Sequence, residues 1–129
     1  MKKRIPIPAP IVDARGSITN LLEPAFKIKG VLLIVSRAGA VRANHYHRKD
    51  SHYVYILKGK MEYTEKDMRR PGARKKTILL REGDLVLTPP MTAHAMRFLE
   101  DTVFLALTTE KRDRASYERD TRRIQLIEP

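Results

Sequence analysis

Short apolar runs, broken by turn residues every ten or so positions, constrain this 129-residue chain more than any other feature. That rhythm suits an all-β sandwich or barrel. Strands are expected over residues 17–22, 31–35, 43–47, 52–57, 61–64, 77–80, 85–87, 93–99 and 102–108. Val31 to Val35 is apolar at every position, which predicts a strand buried on both faces. His52 to Leu57 is rich in Tyr, Val and Ile, as pleated surfaces prefer. Residues 48–51 read as a polar turn, and the charged residues 66–75, with Pro71-Gly72, as an exposed loop. Pro89-Pro90 forces a stiff bend, because neither residue donates a backbone hydrogen bond. Residues 115–124 read as one short polar helix on the surface or against a partner subunit. The whole chain, 1–129, is expected to be one domain. Residues 1–9 are expected to form an N-terminal arm able to reach a partner, and 110–129 a C-terminal extension.

A chain this long can bury a core without covalent staples. It has no cysteine, which excludes disulfides, thiolate metal sites and cysteine nucleophiles. No apolar run approaches the roughly 18–20 residues of a membrane helix. Met1-Lys2-Lys3-Arg4 is basic, but the prolines that follow do not form a signal-peptide core. A soluble, cytoplasmic protein is expected. The net charge is +11. Such a surface attracts anions, so a small anionic substrate is expected, although a charge-rich surface alone would look the same. Lys and Arg are spread along the chain without a recognition motif, so nucleic acid is not the expected partner.

The four histidines, His45, His47, His52 and His94, fall into two clusters with fixed glycine spacing. One reads Gly39–(five residues)–His45–x–His47–(four residues)–His52–(six residues)–Gly59. The other reads Gly83–(five residues)–Pro89–x–Met91–(two residues)–His94. His45 and His47 share a strand face, with Tyr46 on the other. The turn at 48–51 resets the phase, so His52 can rejoin them beside Val54 and Ile56. His94 shares its face with Met96 and Phe98. The four imidazoles are expected to hold one divalent transition metal (Zn, Ni, Fe, Mn or Cu) in an apolar pocket. His45 and His47 are also candidate proton-transfer groups. Arg42 is a candidate catalytic residue, contacting a phosphate or carboxylate at the pocket mouth. Tyr46, Tyr53 and Tyr55 oppose the histidines in parity and are expected to pack, or to meet a partner subunit. Tyr63 is compatible with either face, and no tyrosine acid is evident in the pocket. The basic run 69–76 reads as a solvated loop.

These two segments resemble the two sequence motifs of the cupin superfamily. The resemblance implies a double-stranded β-helix, a jelly-roll barrel, with a short C-terminal helix or extension. It also implies metal ligands at His45, His47 and His94, with His52 where the family commonly has Glu. Met91 stands where Gly is usual, and Phe98 where Asn is usual. Asp13-Ala14-Arg15-Gly16, Arg42-Ala43-Asn44-His45-Tyr46-His47, Pro89-Pro90-Met91-Thr92-Ala93-His94 and Tyr117-Glu118-Arg119-Asp120 are similar to the sugar-nucleotide branch. That branch includes ketoisomerases, epimerases and a cupin domain of capsular-polysaccharide biosynthesis. The resemblance implies a homodimer and isomerase- or epimerase-type proton transfer on a sugar nucleotide. A metal-dependent dioxygenase or other oxidoreductase, and a non-catalytic ligand-binding cupin, are the alternative readings.

Overall fold

The computed structural model describes residues 4–129. In chain order its elements are β1 (Ile11–Asp13), β2 (Gly16–Ile18), β3 (Gly30–Ser36), β4 (Val41–His47), β5 (His52–Lys58) and β6 (Lys60–Asp67). They continue as β7 (Lys76–Arg81), β8 (Leu85–Thr88), β9 (Thr92–Phe98), β10 (Thr102–Thr108), helix α1 (Arg114–Asp120) and β11 (Thr121–Arg123). One sheet has the order β3-β10-β5-β8 and the other β11-β4-β9-β6-β7, with antiparallel pairing throughout. Alternating apolar residues from both sheets meet in one core, among them Val54, Ile56 and Phe104 from the first and Met61, Tyr63 and Phe98 from the second. Each such buried side chain contributes about 1.5–3 kcal/mol relative to exposure. Phe98 and Phe104 stack across the core with centroids 5.9 Å apart. This is the expected all-β jelly roll. No helix is long and apolar enough to cross a membrane among the described residues.

Two special backbone positions hold the turns. Gly59, between β5 and β6, has φ +106°, and a Cβ there would lie 2.4 Å from Thr102 Oγ1. Met91 has φ +60°, so this chain keeps a glycine-like conformation with a larger residue. Met91 is held there by its N–H to the His47 carbonyl (2.7 Å) and its carbonyl from Met68 N (2.9 Å).

Three expectations need correction. The strand expected over 17–22 stops at Ile18 and pairs with β1 as a hairpin. The ladder ends there because Pro10, the next partner in register, has no N–H to give. Second, β3 is not buried on both faces: Val31, Leu33 and Val35 are 67%, 64% and 62% exposed. β3 is a sheet edge, and only its inner face meets the opposite sheet. Third, α1 ends at Asp120, not 124. Thr121 is extended (φ −102°, ψ 135°), and residues 121–123 pair with the open edge of β4. In the arm, Arg4 and Ile5 lie along β8 of the same chain. Ile5 N donates to Leu85 O (2.8 Å) and Arg4 pairs with Asp84 (3.2 Å). The first three residues of the arm lie outside the described residues.

Candidate functional site

A bulge in β4 aims the first histidine. Ala43 and Asn44 have φ +71° and +54°, and the β4–β9 register shifts there, so that His45 lies opposite His94. Bulges of this kind re-aim side chains. Asn44 tolerates the left-handed conformation. Its Oδ1 accepts from Leu126 N and Ile127 N, each at 3.0 Å. The turn at 48–51 does reset the phase, and Asp120 of α1 organises it. Asp120 accepts from Arg48 N through its carbonyl, and from Lys49 N (2.7 Å) and Asp50 N (3.1 Å) through its carboxylate. His52 then opens β5 on the inner face, opposite Thr88.

All four histidines are brought together and buried. Ring centroids lie 4.6 Å apart for His45–His47, 4.7 Å for His45–His94, 5.6 Å for His47–His52 and 5.0 Å for His52–His94. One ring nitrogen from each of His45, His47 and His94 lies within 4.8 Å of the other two. His47, Asp50 and His52 make a second such group.

The hydrogen-bond network assigns three tautomers. His94 Nδ1 is 3.0 Å from the Thr92 carbonyl, which can only accept. His52 Nδ1 is 2.9 Å from Asp50 Oδ2. Burial pushes the Asp50 carboxyl up, but His52 and Arg112 outweigh it and hold it below the usual range, so it stays an acceptor. Thr121 spends its hydroxyl proton on the Tyr117 carbonyl (2.6 Å), so its oxygen accepts from His47 Nδ1 (3.1 Å). Each of the three rings therefore keeps its proton on Nδ1 and a lone pair on Nε2. His47 Nε2 is buried without a hydrogen-bond partner among the described residues. An orphaned lone pair in a cluster of anchored imidazoles fits a transition-metal ion. Burial, reinforced by the neighbouring histidines, holds His45 down at about 4, His47 at about 2 and His94 well below the ordinary value. All three are thus neutral near pH 7, as ligation and general-base chemistry require.

The histidines open into a cavity of about 390 Å³, walled on one side by Leu32, Ile34, Val54 and Phe104. Arg42 lines it, as expected, but its Nε donates to Ser36 Oγ (2.7 Å) and its Nη2 to Val35 O (3.1 Å). Sequence reasoning missed Arg112 and Tyr117, which also line the cavity. Arg112 donates to Asp50 Oδ2 (3.0 Å), and its guanidinium carbon lies 5.3 Å from the centroid of the Tyr117 ring. The Tyr117 hydroxyl is 3.3 Å from His45 Nδ1. A tyrosine therefore does reach the pocket, contrary to the strand-parity expectation, because it comes from α1 and not from the barrel. Its only sequence clue was the Tyr117–Asp120 segment, with no parity rule to aim it. Tyr53 packs instead, its hydroxyl accepting from Ala25 N (3.4 Å). Tyr46 packs against the Ala93, Ala95 and Leu126 cluster. Tyr63 faces inward, with its hydroxyl 2.6 Å from Thr88 Oγ1 and donating to Glu65 (3.2 Å).

The profile of the family described as Cupin domain matches residues 32–109. Among curated proteins, no sequence matches the chain. Among solved structures, it is similar to the QdtA 3,4-ketoisomerase of Thermoanaerobacterium thermosaccharolyticum, a double mutant in complex with TDP. Identity is 27% and TM-score 0.70, over 89% of this chain and 82% of that one. The rmlC epimerase of Mycobacterium tuberculosis shares the fold at 20% identity and TM-score 0.77, over 98% and 74% of the two chains. The capsular polysaccharide assembling protein CapF of Staphylococcus aureus shares it at 20% identity and TM-score 0.62, over 94% of this chain and 35% of that one.

Proposed function

This chain belongs to the cupin domain family, and we propose that it catalyses isomerase- or epimerase-type proton transfer on a small anionic keto substrate such as a sugar nucleotide. The observation that carries this reading is the set of neutral, anchored imidazoles in a largely apolar pocket beside two arginines and a tyrosine. Similarity to a 3,4-ketoisomerase at 27% identity supports the same class.

His45, His47, His52 and His94 would hold one divalent transition metal, Zn, Ni, Fe, Mn or Cu, through neutral nitrogen atoms. Such an ion supplies Lewis acidity toward a ketone oxygen. The chain's own residues supply the rest. Arg42 and Arg112 draw the anionic substrate to the mouth and stabilise negative charge that develops on the ketone oxygen. In the metal-free form, where its lone pair is not given to an ion, a neutral imidazole of His45 or His47 takes the proton from the carbon beside the ketone; the C–H pair becomes the enolate. When His45 keeps its proton on Nδ1, that N–H donates to the Tyr117 oxygen. The Tyr117 O–H is then available to protonate the enolate. The apolar wall excludes water and strengthens these interactions.

The test is solvent-deuterium incorporation beside the ketone of a dTDP-4-keto-6-deoxyhexose. Incorporation above the uncatalysed background is expected, with a large reduction in Tyr117→Phe. No incorporation by either the metal-free or the metal-replete protein would end the reading. Oxygen uptake with Fe, Mn or Cu bound would favour the oxidoreductase alternative.

We propose a homodimer as the working form. The β1–β2 hairpin exposes Ile11, Val12 and Ile18 at 70–74%, and an isolated two-stranded hairpin is marginal in water. The free β3 edge exposes Val31, Leu33 and Val35 and offers such a hairpin an apolar strand to join.

A further inference from the structure

A second cavity, of about 310 Å³, lies against the turn that carries His52 and shares no lining residue with the histidine pocket. Five basic side chains converge on it: Lys29 before β3, Arg48 and Lys49 in the turn, Lys111 after β10, and Arg119 on α1. Among the described residues, none of the five forms an ion pair with a carboxylate, although Arg4, Arg112 and Arg123 elsewhere do. Two carboxylates line the same cavity, those of Glu110 and Asp120. Asp120 is already engaged, accepting from Lys49 N and Asp50 N. Arg119 also feels Asp113, outside the cavity, at longer range. Cations from four separate segments thus face one concavity with too few acids to neutralise them. A concave wall of one sign concentrates counter-charge far more than the same cations scattered on a convex surface.

We propose that this cavity is a binding site for a small multivalent phosphate-type oxyanion. Its volume is at the lower end of ligand sites, which suits a phosphate or diphosphate group rather than a larger ligand. The guanidinium groups of Arg48 and Arg119 offer paired donors to such oxygens, and the three ammonium groups act as point charges. The site stands independently of the proposed reaction, because none of its side chains belongs to the histidine pocket.

The test is titration of the full chain with inorganic pyrophosphate by calorimetry at about 0.15 M salt, with amide chemical shifts to locate the ligand. Saturable binding is expected, with shifts centred on residues 48–49, 111 and 116–119. Arg48→Glu with Arg119→Glu should weaken it by about tenfold or more. Arg70→Glu with Arg74→Glu, in the loop after β6, lowers the net charge by the same amount and should leave affinity within about twofold. Equal weakening by both pairs, shifts centred on the histidine pocket, or no saturable binding would overturn the proposal. Arg48→Ala with Arg119→Ala is the substitute if the charge reversal unfolds the chain. Both positions keep their backbone hydrogen bonds in that variant.

Discussion

Asp50→Asn should change the chemistry of His52 without touching it. Asp50 is 1% exposed. Its Oδ1 accepts from Thr109 N (3.0 Å) and Glu110 N (3.1 Å), and its Oδ2 from His52 Nδ1 (2.9 Å) and Arg112 (3.0 Å). An asparagine must keep its one oxygen toward the two backbone N–H groups, which cannot turn away. Its NH2 then faces Arg112, which loses an acceptor, and His52, which keeps a hydrogen bond only by moving its proton to Nε2. The lost Arg112 bond costs about 1.5–3 kcal/mol and the weakened His52 bond about 1 kcal/mol, so stability falls by about 3 kcal/mol. His52 also loses its inward lone pair, and metal affinity should fall by about 10- to 100-fold. Urea unfolding with a chelator present reads the first effect, and competition against a chromophoric chelator the second. Long-range ¹⁵N correlation of the imidazole nitrogens reads the tautomer directly. If His52 keeps its proton on Nδ1, or affinity is unchanged while stability falls, the tautomer argument is refuted.

Folding lowers His45 from 6.5 to about 4 and His47 from 6.5 to about 2, burial being the main cause. The unfolded chain therefore binds more protons, and the metal-free protein should be most stable above pH 6.5 and lose stability as pH falls below it. The slope approaches about 1.4 kcal/mol per pH unit for each histidine; flat urea midpoints from pH 7 to 5 would contradict neutral, buried rings. Gly59→Ala puts a Cβ 2.4 Å from Thr102 Oγ1 and 2.6 Å from the Asp101 carbonyl at φ +106°. It should cost about 3 kcal/mol or more, read by thermal melting; a loss under about 1 kcal/mol would show that the turn yields. Leu33→Glu, at a side chain 64% exposed, should leave the protomer folded and convert the dimer to monomer by light scattering. A wild-type chain that is already monomeric would rule out the proposed interface.

The barrel was legible in the sequence because its cause is local. Alternation with period two and punctuating turns assign faces strand by strand, and they put His45, His47, His52 and His94 on the inner wall with Val54, Ile56, Met96 and Phe98. Misreadings came where a strand's surroundings, not its own residues, decide its exposure. Val31 to Val35 is apolar throughout, yet only the opposite sheet determines which half is covered. Residues 121–123 look helical until the open edge of β4 offers them partners. The same holds for the site. The spacing of the histidines identifies the four rings, since metal-type clusters need particular residues at particular intervals. Their tautomers, and the neutral state near pH 7 of His45, His47 and His94, depend on Asp50, Thr92 and Thr121 and on burial, and so does the orphaned Nε2 of His47. Tyr117 meets His45 from 72 positions away. Long-range hydrogen bonds and desolvation exist only once the chain has closed on itself, so only the tertiary structure could decide them.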